Sequence, residues 1–225
     1  MFKQFLKYIL LLPAILSVLL TSPQVHAICI NTAGGNWSGT IWLTGVGNCS
    51  TSPPGSADNV TIFPPVTLDQ PVTVNQIHLS LGTLNASTFT ITLTATETII
   101  NAGGTFNADT GTVKLNDADH SFSTSNFTFY NLQWETPLTA PRTLTINTGV
   151  TITKATGGTF NLDGTPTNPV TFAGTGSVSP TITVNNCAAS TVTGITCNLP
   201  IGNNLVSAPI FSLKDKPAIF SEEVK

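Results

Sequence analysis

Two carboxylates and an imidazole lie close together in the run Asn116-Asp117-Ala118-Asp119-His120. Asp117, Asp119 and His120 are side chains of the types that Ca²⁺ or a transition metal accepts as ligands. The run also lies between two short strand-like segments, where Asp and Asn are the ordinary residues of tight turns. One short acidic run supplies too few oxygen ligands to surround Ca²⁺. The sequence therefore favours a turn with no cofactor, and a Ca²⁺ or metal site at these three residues is the alternative.

Catalytic motifs are absent from the rest of the sequence. The chain has no Gly-x-Ser-x-Gly, no His-Glu-x-x-His, no phosphate-binding glycine loop and no EF-hand loop. His78 alternates with apolar neighbours and is expected to point outward from a strand. Arg142 has no evident acidic partner in its own segment. We therefore assign no catalytic residue and expect a non-enzymatic protein.

Aromatic side chains offer a second kind of chemistry, because a flat ring can stack on a sugar. The candidates are Trp37, Trp42, Tyr130 and Trp134. Aromatic rings also bury a large apolar area, so packing in a core or a cap is the alternative for the first two tryptophans. The four residues are therefore the candidate stacking platforms for a carbohydrate ligand.

The elements that would position these side chains are indicated by a recurring phrase. Its copies are Gly82-Thr83-Leu84-Asn85, Gly103-Gly104-Thr105-Phe106-Asn107 and Gly157-Gly158-Thr159-Phe160-Asn161. Gly supplies the positive φ of a tight corner, and the apolar residue of each phrase would point inward from a strand and stack. The 22 residues from Thr83 to Thr105 suit a coil of three short strands. The sequence thus predicts a β-solenoid, whose units bury their apolar sides by stacking.

Composition agrees with an all-β domain that has a neutral polar surface. Beyond the N-terminal segment no apolar period of 3.6 residues occurs, so we expect no helix in the mature domain. Removing Lys3 and Lys7 from the eight basic residues leaves six against eleven acidic residues, a net charge of −5. An acidic chain argues against a nucleic-acid partner. Thr-x-Thr pairs recur along the chain and could form an ice-binding face. Their position in the coil is not regular, so ice binding is kept only as an alternative function.

The N-terminal segment has the features of an export signal. Lys3 and Lys7 precede a short apolar run, and Val25-His26-Ala27 resembles a cleavage site. We expect residues 1–27 to be a signal peptide, residues 28–57 an N-terminal cap, residues 58–208 a parallel β-helix and residues 209–225 a polar tail. The expected product is secreted or periplasmic, without a membrane span, and the C-terminal residues give no support for attachment to the cell surface.

The cysteines fall into two separated pairs, Cys29 with Cys49 and Cys187 with Cys197. In an exported protein each pair is expected to form a disulfide that closes a local loop near one end of the solenoid. The absence of a Cys-x-x-Cys spacing disfavours a zinc site. Other pairings and free buried thiols remain open on sequence grounds.

Several segments resemble large secreted bacterial β-helix proteins. They are Gly35-Asn36-Trp37, Ala57-Asp58-Asn59-Val60-Thr61-Ile62, Val66-Thr67-Leu68-Asp69, the Gly-Thr-Leu-Asn phrases and Phe129-Tyr130-Asn131-Leu132. These segments look like the opening and coils of adhesin-like proteins of the pectin-lyase-like superfamily. The resemblance implies a right-handed parallel β-helix that works outside the cell in adhesion, by binding a glycan or a host or cell-surface protein. A polysaccharide-active enzyme of the pectate-lyase type is the alternative.

Overall fold

The computed structural model describes residues 28–43 and 49–199. Within those ranges the regular elements are strands, as the alternating pattern predicted, and none of the described residues forms a helix long and apolar enough to cross a membrane. The expected signal peptide and polar tail lie outside the described residues. The strands are β1 (Ile28–Ile30), β2 (Gly35–Asn36), β3 (Asn59–Ile62), β4 (Val66–Thr67), β5 (Val72–Val74), β6 (Gln76–Leu79), β7 (Thr83–Asn85), β8 (Thr90–Leu93), β9 (Ile99–Asn101), β10 (Thr105–Asn107), β11 (Thr112–Leu115), β12 (His120–Phe122), β13 (Phe127–Trp134), β14 (Arg142–Ile146), β15 (Thr151–Asn161), β16 (Val170–Ala173), β17 (Ser177–Asn185), β18 (Cys187–Ser190) and β19 (Thr193–Asn198).

Strands pair in parallel with strands of the next coil and not with their neighbours in sequence. Strands β3, β4 and β5 enter three different sheets, and β6 then returns to the sheet of β3. Among the described strands the sheets run in the orders β1-β3-β6-β9, β2-β4-β7-β10, β12-β14-β16-β18 and β5-β8-β11-β13-β15-β17-β19. We call the last of these the seven-stranded sheet. The topology is compatible with a β-solenoid.

The predicted 22-residue coil is present in the middle of the chain. Between the coil of β6, β7 and β8 and the next one, each register partner lies 22 residues ahead. The partners are Ile77 with Ile99, Leu84 with Phe106 and Ile91 with Val113. The first two copies of the phrase therefore stack in register, as the sequence predicted.

The third copy of the phrase lies on a different sheet. Phe160 pairs with Leu132 in the seven-stranded sheet, whereas Leu84 and Phe106 pair on β7 and β10 of another sheet. The prediction that Phe160 continues their stack is therefore wrong. The number of residues in a coil changes after β11. The third copy of the phrase is therefore placed on a different sheet of the coil from the first two copies.

The core is built from stacked apolar rows, because alternate residues of a strand face the same side and in-register coils place like on like. One such row consists of Cys29, Val60, Ile77 and Ile99, all fully buried. A second group is aromatic, with ring centroids 5.5–5.9 Å apart, and consists of Phe106, Phe122, Phe127 and Phe129. Burial of each large apolar side chain stabilises the fold by roughly 1.5–3 kcal/mol before chain entropy is counted.

Both expected disulfides are present. Cys29 is bonded to Cys49 and Cys187 to Cys197, with Cα atoms 4.5 and 5.0 Å apart. Cys29 lies on β1, whereas the second bond joins β18 to β19. These strands end their sheets, so each crosslink holds a terminal coil of the described stack.

Glycines of the repeated phrase meet two different demands. Gly103 and Gly157 have φ values of 113° and 80°, the positive range that the sequence predicted for a corner. At Gly82, Gly104 and Gly158 the reason is space, because a β-carbon there would lie 2.3, 2.6 and 1.9 Å from a backbone oxygen of the preceding coil or corner. The close approach of successive coils therefore requires these three glycines.

Replacing Gly82 by Ala should lower the free energy of unfolding by about 1–3 kcal/mol, since the added methyl meets the Phe63 carbonyl and the backbone must move. Gly55 is the matched control, because its nearest outside atom is the Thr51 hydroxyl at 3.5 Å. Gly55→Ala should leave stability unchanged or raise it by about 0.4–1 kcal/mol. Urea unfolding of both variants measures the difference, and equal stabilities would contradict the steric account.

Candidate functional site

Asp117 connects two coils at their corner. Its Oδ2 accepts hydrogen bonds from the Thr139 amide at 2.9 Å and from the Thr139 hydroxyl, and its Oδ1 accepts one from Arg142 Nε at 2.7 Å. The hydrogen bond from Arg142, supported by those from Thr139, holds the pKa of Asp117 well below its ordinary value. Arg142 thus has the acidic partner that the sequence did not reveal, 25 residues away.

Asp119 has a similar structural role. Its Oδ1 accepts a hydrogen bond from the Thr143 amide at 2.8 Å, on β14 of the next coil. A carboxylate is a strong acceptor for a backbone N–H, so this bond joins the corner that holds Asp119 to β14. The carboxylates of Asp117 and Asp119 therefore hold adjacent coils together.

The His120 side chain is buried in the core and takes no part in the hydrogen bonds of Asp117 and Asp119. The residue is 1% exposed, and its ring lies 5.5 Å from that of Trp134. Nδ1 lies 2.9 Å from the Ala95 carbonyl oxygen and Nε2 lies 3.1 Å from that of Asn116. Neutral imidazole carries one N–H, so it donates to only one of these oxygens at a time.

A metal site at these residues receives no support from their contacts. Within residues 28–43 and 49–199, no three His, Cys, Asp or Glu side chains are grouped as a metal site requires. Asp117 and Asp119 are committed to amides and to Arg142, and both nitrogens of His120 face carbonyl oxygens. Residues 116–119 form the corner between β11 and β12, and His120 is the first residue of β12.

The candidate aromatic residues divide into buried and half-exposed groups. Trp37, Trp42 and Trp134 are at most 5% exposed, so their rings offer no face to a ligand. Trp37 and Trp42 pack edge to face with centroids 4.8 Å apart, which is the cap packing that the sequence left as the alternative. Tyr130 on β13 is half-buried and lies between the buried Phe129 and the half-buried Asn131. Stacking on a sugar is thus left to Tyr130.

The outward face of the seven-stranded sheet carries two register rows of polar residues. The 90–159 row consists of Thr90, Thr112, Asn131 and Thr159. The 73–161 row consists of Thr73, Thr92, Lys114, Gln133 and Asn161. Neighbouring residues in a row are separated by about 4.8 Å, the spacing of strands in a sheet.

The two rows differ in how their polar groups are used. In the 90–159 row, the Asn131 side-chain amide donates to the Thr112 hydroxyl at 3.3 Å and accepts from the Thr159 hydroxyl at 2.8 Å. In the 73–161 row, the amides of Gln133 and Asn161 have no hydrogen-bond partner in the described part of the chain. Hydrogen-bonding capacity is therefore available to a ligand along the 73–161 row.

Charge is distributed unevenly around the coils. Residues 28–43 and 49–199 contain eight acidic and three basic side chains, lysine and arginine being counted as basic. The strands of the seven-stranded sheet hold two of the basic ones, Lys114 and Lys154, and carry no Asp or Glu within the same ranges. Lys114 pairs with Glu135 at 3.3 Å, whereas Lys154 has no carboxylate partner among the described residues.

A bulge interrupts the seven-stranded sheet beside Tyr130. Phe129 faces Lys154 and Asn131 faces Thr159, so one residue of β13 lies opposite four of β15. Residues 155–158 form the extra length, which the sequence pattern did not reveal. Bulges of this kind re-aim side chains and are frequent beside functional sites.

Comparisons with known proteins return nothing: no protein-family model, no curated protein and no solved structure matches this chain.

The contribution of Asp117 to the free energy of unfolding should depend on pH. Because its pKa is lowered in the folded state, the stability that its charge adds is present above the ordinary value of 3.8 and is lost as the pH falls through the lower folded value. Asp117→Asn should reduce the unfolding free energy at pH 7 by about 1–2 kcal/mol, and this difference should shrink below about pH 4. Asp109→Asn, at an exposed carboxylate, should change little. A constant difference from pH 7 to pH 3 would refute the prediction.

His120 should add a second, separate pH dependence. Burial lowers its pKa below the ordinary 6.5, against the opposing effect of the carbonyls of Asn116 and Ala95. The unfolded chain then takes up a proton at higher pH than the folded one, so stability falls as the pH drops below about 6.5, by up to about 1.4 kcal/mol per pH unit.

His120→Phe should flatten this slope while lowering stability at pH 7, and His78→Gln, at a half-exposed position, should keep the slope. Chemical unfolding from pH 7.5 to pH 5 measures both effects. An NMR titration of the His120 ring at or above 6.5 would overturn the assignment.

Proposed function

We propose that this chain is a secreted, non-enzymatic binding module with the right-handed parallel β-helix fold, and that it holds a glycan along the outward face of its seven-stranded sheet. The observation that carries the proposal is the 73–161 row. In it the amides of Gln133 and Asn161 have no hydrogen-bond partner among the described residues and lie in register with the exposed Thr73 and the half-buried Thr92. Sugar hydroxyls both donate and accept hydrogen bonds, as amides and threonine hydroxyls do.

The rigidity of the sheet favours binding by many weak contacts. Each residue of the row lies on a strand that is hydrogen-bonded to one or two neighbouring strands, so its backbone is already ordered. Little further ordering is therefore required when a ligand binds. Contacts about 4.8 Å apart along the row repeat at a distance of the same order as one sugar unit. A linear glycan would thus meet several equivalent contacts, and its avidity would grow with its length.

Surface composition favours a glycan over a protein as the partner on this face. The most exposed large hydrophobic side chains are Ile28, Leu43, Phe63, Leu81 and Leu199. Each of them lies outside the strands of the seven-stranded sheet. Protein interfaces usually have an apolar or aromatic centre, whereas this face offers hydroxyls, amides and one half-exposed tyrosine.

Secretion is supported by the two disulfides, which are typical of oxidising compartments. Together with the expected signal peptide and the neutral polar surface, the disulfides favour an extracellular or periplasmic location. Binding there would be adhesion to a carbohydrate-coated surface or to free polysaccharide.

The test is binding of the full chain to an array of linear neutral and acidic glycans, with Ca²⁺ and with a chelator, while cleavage of the same glycans is followed. We expect Ca²⁺-independent binding that rises with glycan length and no cleavage. The double variant Gln133→Ala/Asn161→Ala should weaken binding at least about tenfold if two hydrogen bonds are lost.

The matched control is Asn85→Ala/Asn107→Ala, which removes two amides that already bond to each other on another sheet. Equal losses in the two double variants would contradict binding along the 73–161 row. Cleavage that disappears in Asp119→Ala would replace the proposal with the enzyme, and inhibition of ice growth without glycan binding would replace it with ice binding.

A further inference from the structure

We propose that the bulge beside Tyr130 is an anion subsite for a sulfated sugar, formed by the Lys154 ammonium and the Tyr130 ring. This inference rests on the proposed glycan-binding function and names one chemical group of the ligand. Its components are the residues on either side of the register shift between β13 and β15.

Gly157 and Gly158 bring the lysine and the tyrosine to the same place. A β-carbon on Gly158 would lie 1.9 Å from the Tyr130 carbonyl oxygen, so this glycine lies directly on the Tyr130 backbone. Lys154 Nζ donates a hydrogen bond to the Gly158 carbonyl oxygen at 3.2 Å. The Lys154 ammonium and the Tyr130 backbone therefore both border Gly158.

Gly157 lies beside the hydroxyl end of the Tyr130 ring. A β-carbon on Gly157 would lie 3.3 Å from Tyr130 Oη and 3.9 Å from the ring carbon Cε2. Any larger residue at position 157 would cover that end of the ring, and its φ of 80° further favours glycine. Gly157 and its neighbour Thr156 are both exposed, so a ligand can reach the side of the phenol that they border.

Lys154 has unused hydrogen-bonding capacity. An ammonium group has three N–H donors, and one of them is bonded to the Gly158 carbonyl oxygen. In the described part of the chain, Lys154 is the basic residue without a carboxylate partner, because Lys114 pairs with Glu135 and Arg142 with Asp117. Two donors and a full positive charge remain for a ligand.

The type of cation selects the type of anion. A planar carboxylate is recognised best by the fork of an arginine, and Arg142, the arginine of the sequence, is bonded to Asp117. Lysine acts as a point charge with rotatable donors, which suits a tetrahedral anion that has several equivalent oxygens. In a sulfated sugar, the sugar ring would stack against Tyr130 and the sulfate ester would accept hydrogen bonds from the Lys154 ammonium.

The experiment compares three oligosaccharides of equal length on the full chain: a neutral galactan, the same galactan with sulfate esters, and an oligogalacturonate. We expect the sulfated galactan to bind about tenfold more tightly than the neutral one. Lys154→Gln should abolish this preference and leave binding of the neutral galactan unchanged, whereas Tyr130→Leu should weaken binding of both galactans.

Lys114→Gln is the matched control on the same sheet and should preserve the preference. Matching melting temperatures verify that each variant is folded.

The possible failures are distinguishable. Equal binding of the two galactans, or a preference that survives Lys154→Gln, overturns the subsite and leaves the proposed function standing. A preference lost equally in Lys114→Gln also overturns the subsite, because the general charge of the sheet would then explain it. Galacturonate binding as tight as that of the sulfated galactan overturns the choice of a tetrahedral anion. Failure of every glycan to bind overturns both proposals.

Discussion

Parallel stacking of coils in register is the constraint on which the rest of this structure depends. Each strand receives its backbone hydrogen bonds from strands of the adjacent coils, so successive coils must approach to about 4.8 Å along every sheet. At that distance the corner glycines Gly82, Gly104 and Gly158 have no space for a β-carbon. The same register places apolar residues on apolar residues inside and polar on polar outside, so one spacing determines the core, the corners and the outer rows together.

Acidic side chains are used at the corners of this stack. Asp69, Asp117, Asp119 and Asp163 each accept a hydrogen bond from a backbone amide of an adjacent coil. Each of these carboxylates is a strong acceptor for the amide that it meets. In this architecture a short acidic run is therefore first a device for joining coils. The run at Asp117 and Asp119, which by composition alone resembles a metal site, serves that purpose.

Once the corners are joined and the core is filled, the capacity to bind a ligand remains on the outward faces. The seven-stranded sheet is the broadest of the described sheets, and in its 73–161 row the amides of Gln133 and Asn161 have no hydrogen-bond partner among residues 28–43 and 49–199. The bulge at residues 155–158 interrupts its regularity beside Tyr130, and the Lys154 ammonium is bonded within it to the Gly158 carbonyl oxygen. Regular rows favour extended ligands, whereas a local bulge distinguishes one substituent, so the two features suit successive levels of recognition.

Local pattern in the sequence determined the all-β class, the parallel coil of 22 residues and the stacking of Leu84 on Phe106, and it favoured the two disulfide pairs that the structure contains. These features follow from alternation, corner glycines and cysteine spacing, which are properties of neighbouring residues. The tertiary structure alone decided the placement of Phe160, the pairing of Arg142 with Asp117, the burial of His120 and Trp134, and the bulge beside Tyr130. Each of these depends on the length of a whole coil, and a change of a few residues in one coil shifts every later contact to a new partner without altering the local pattern.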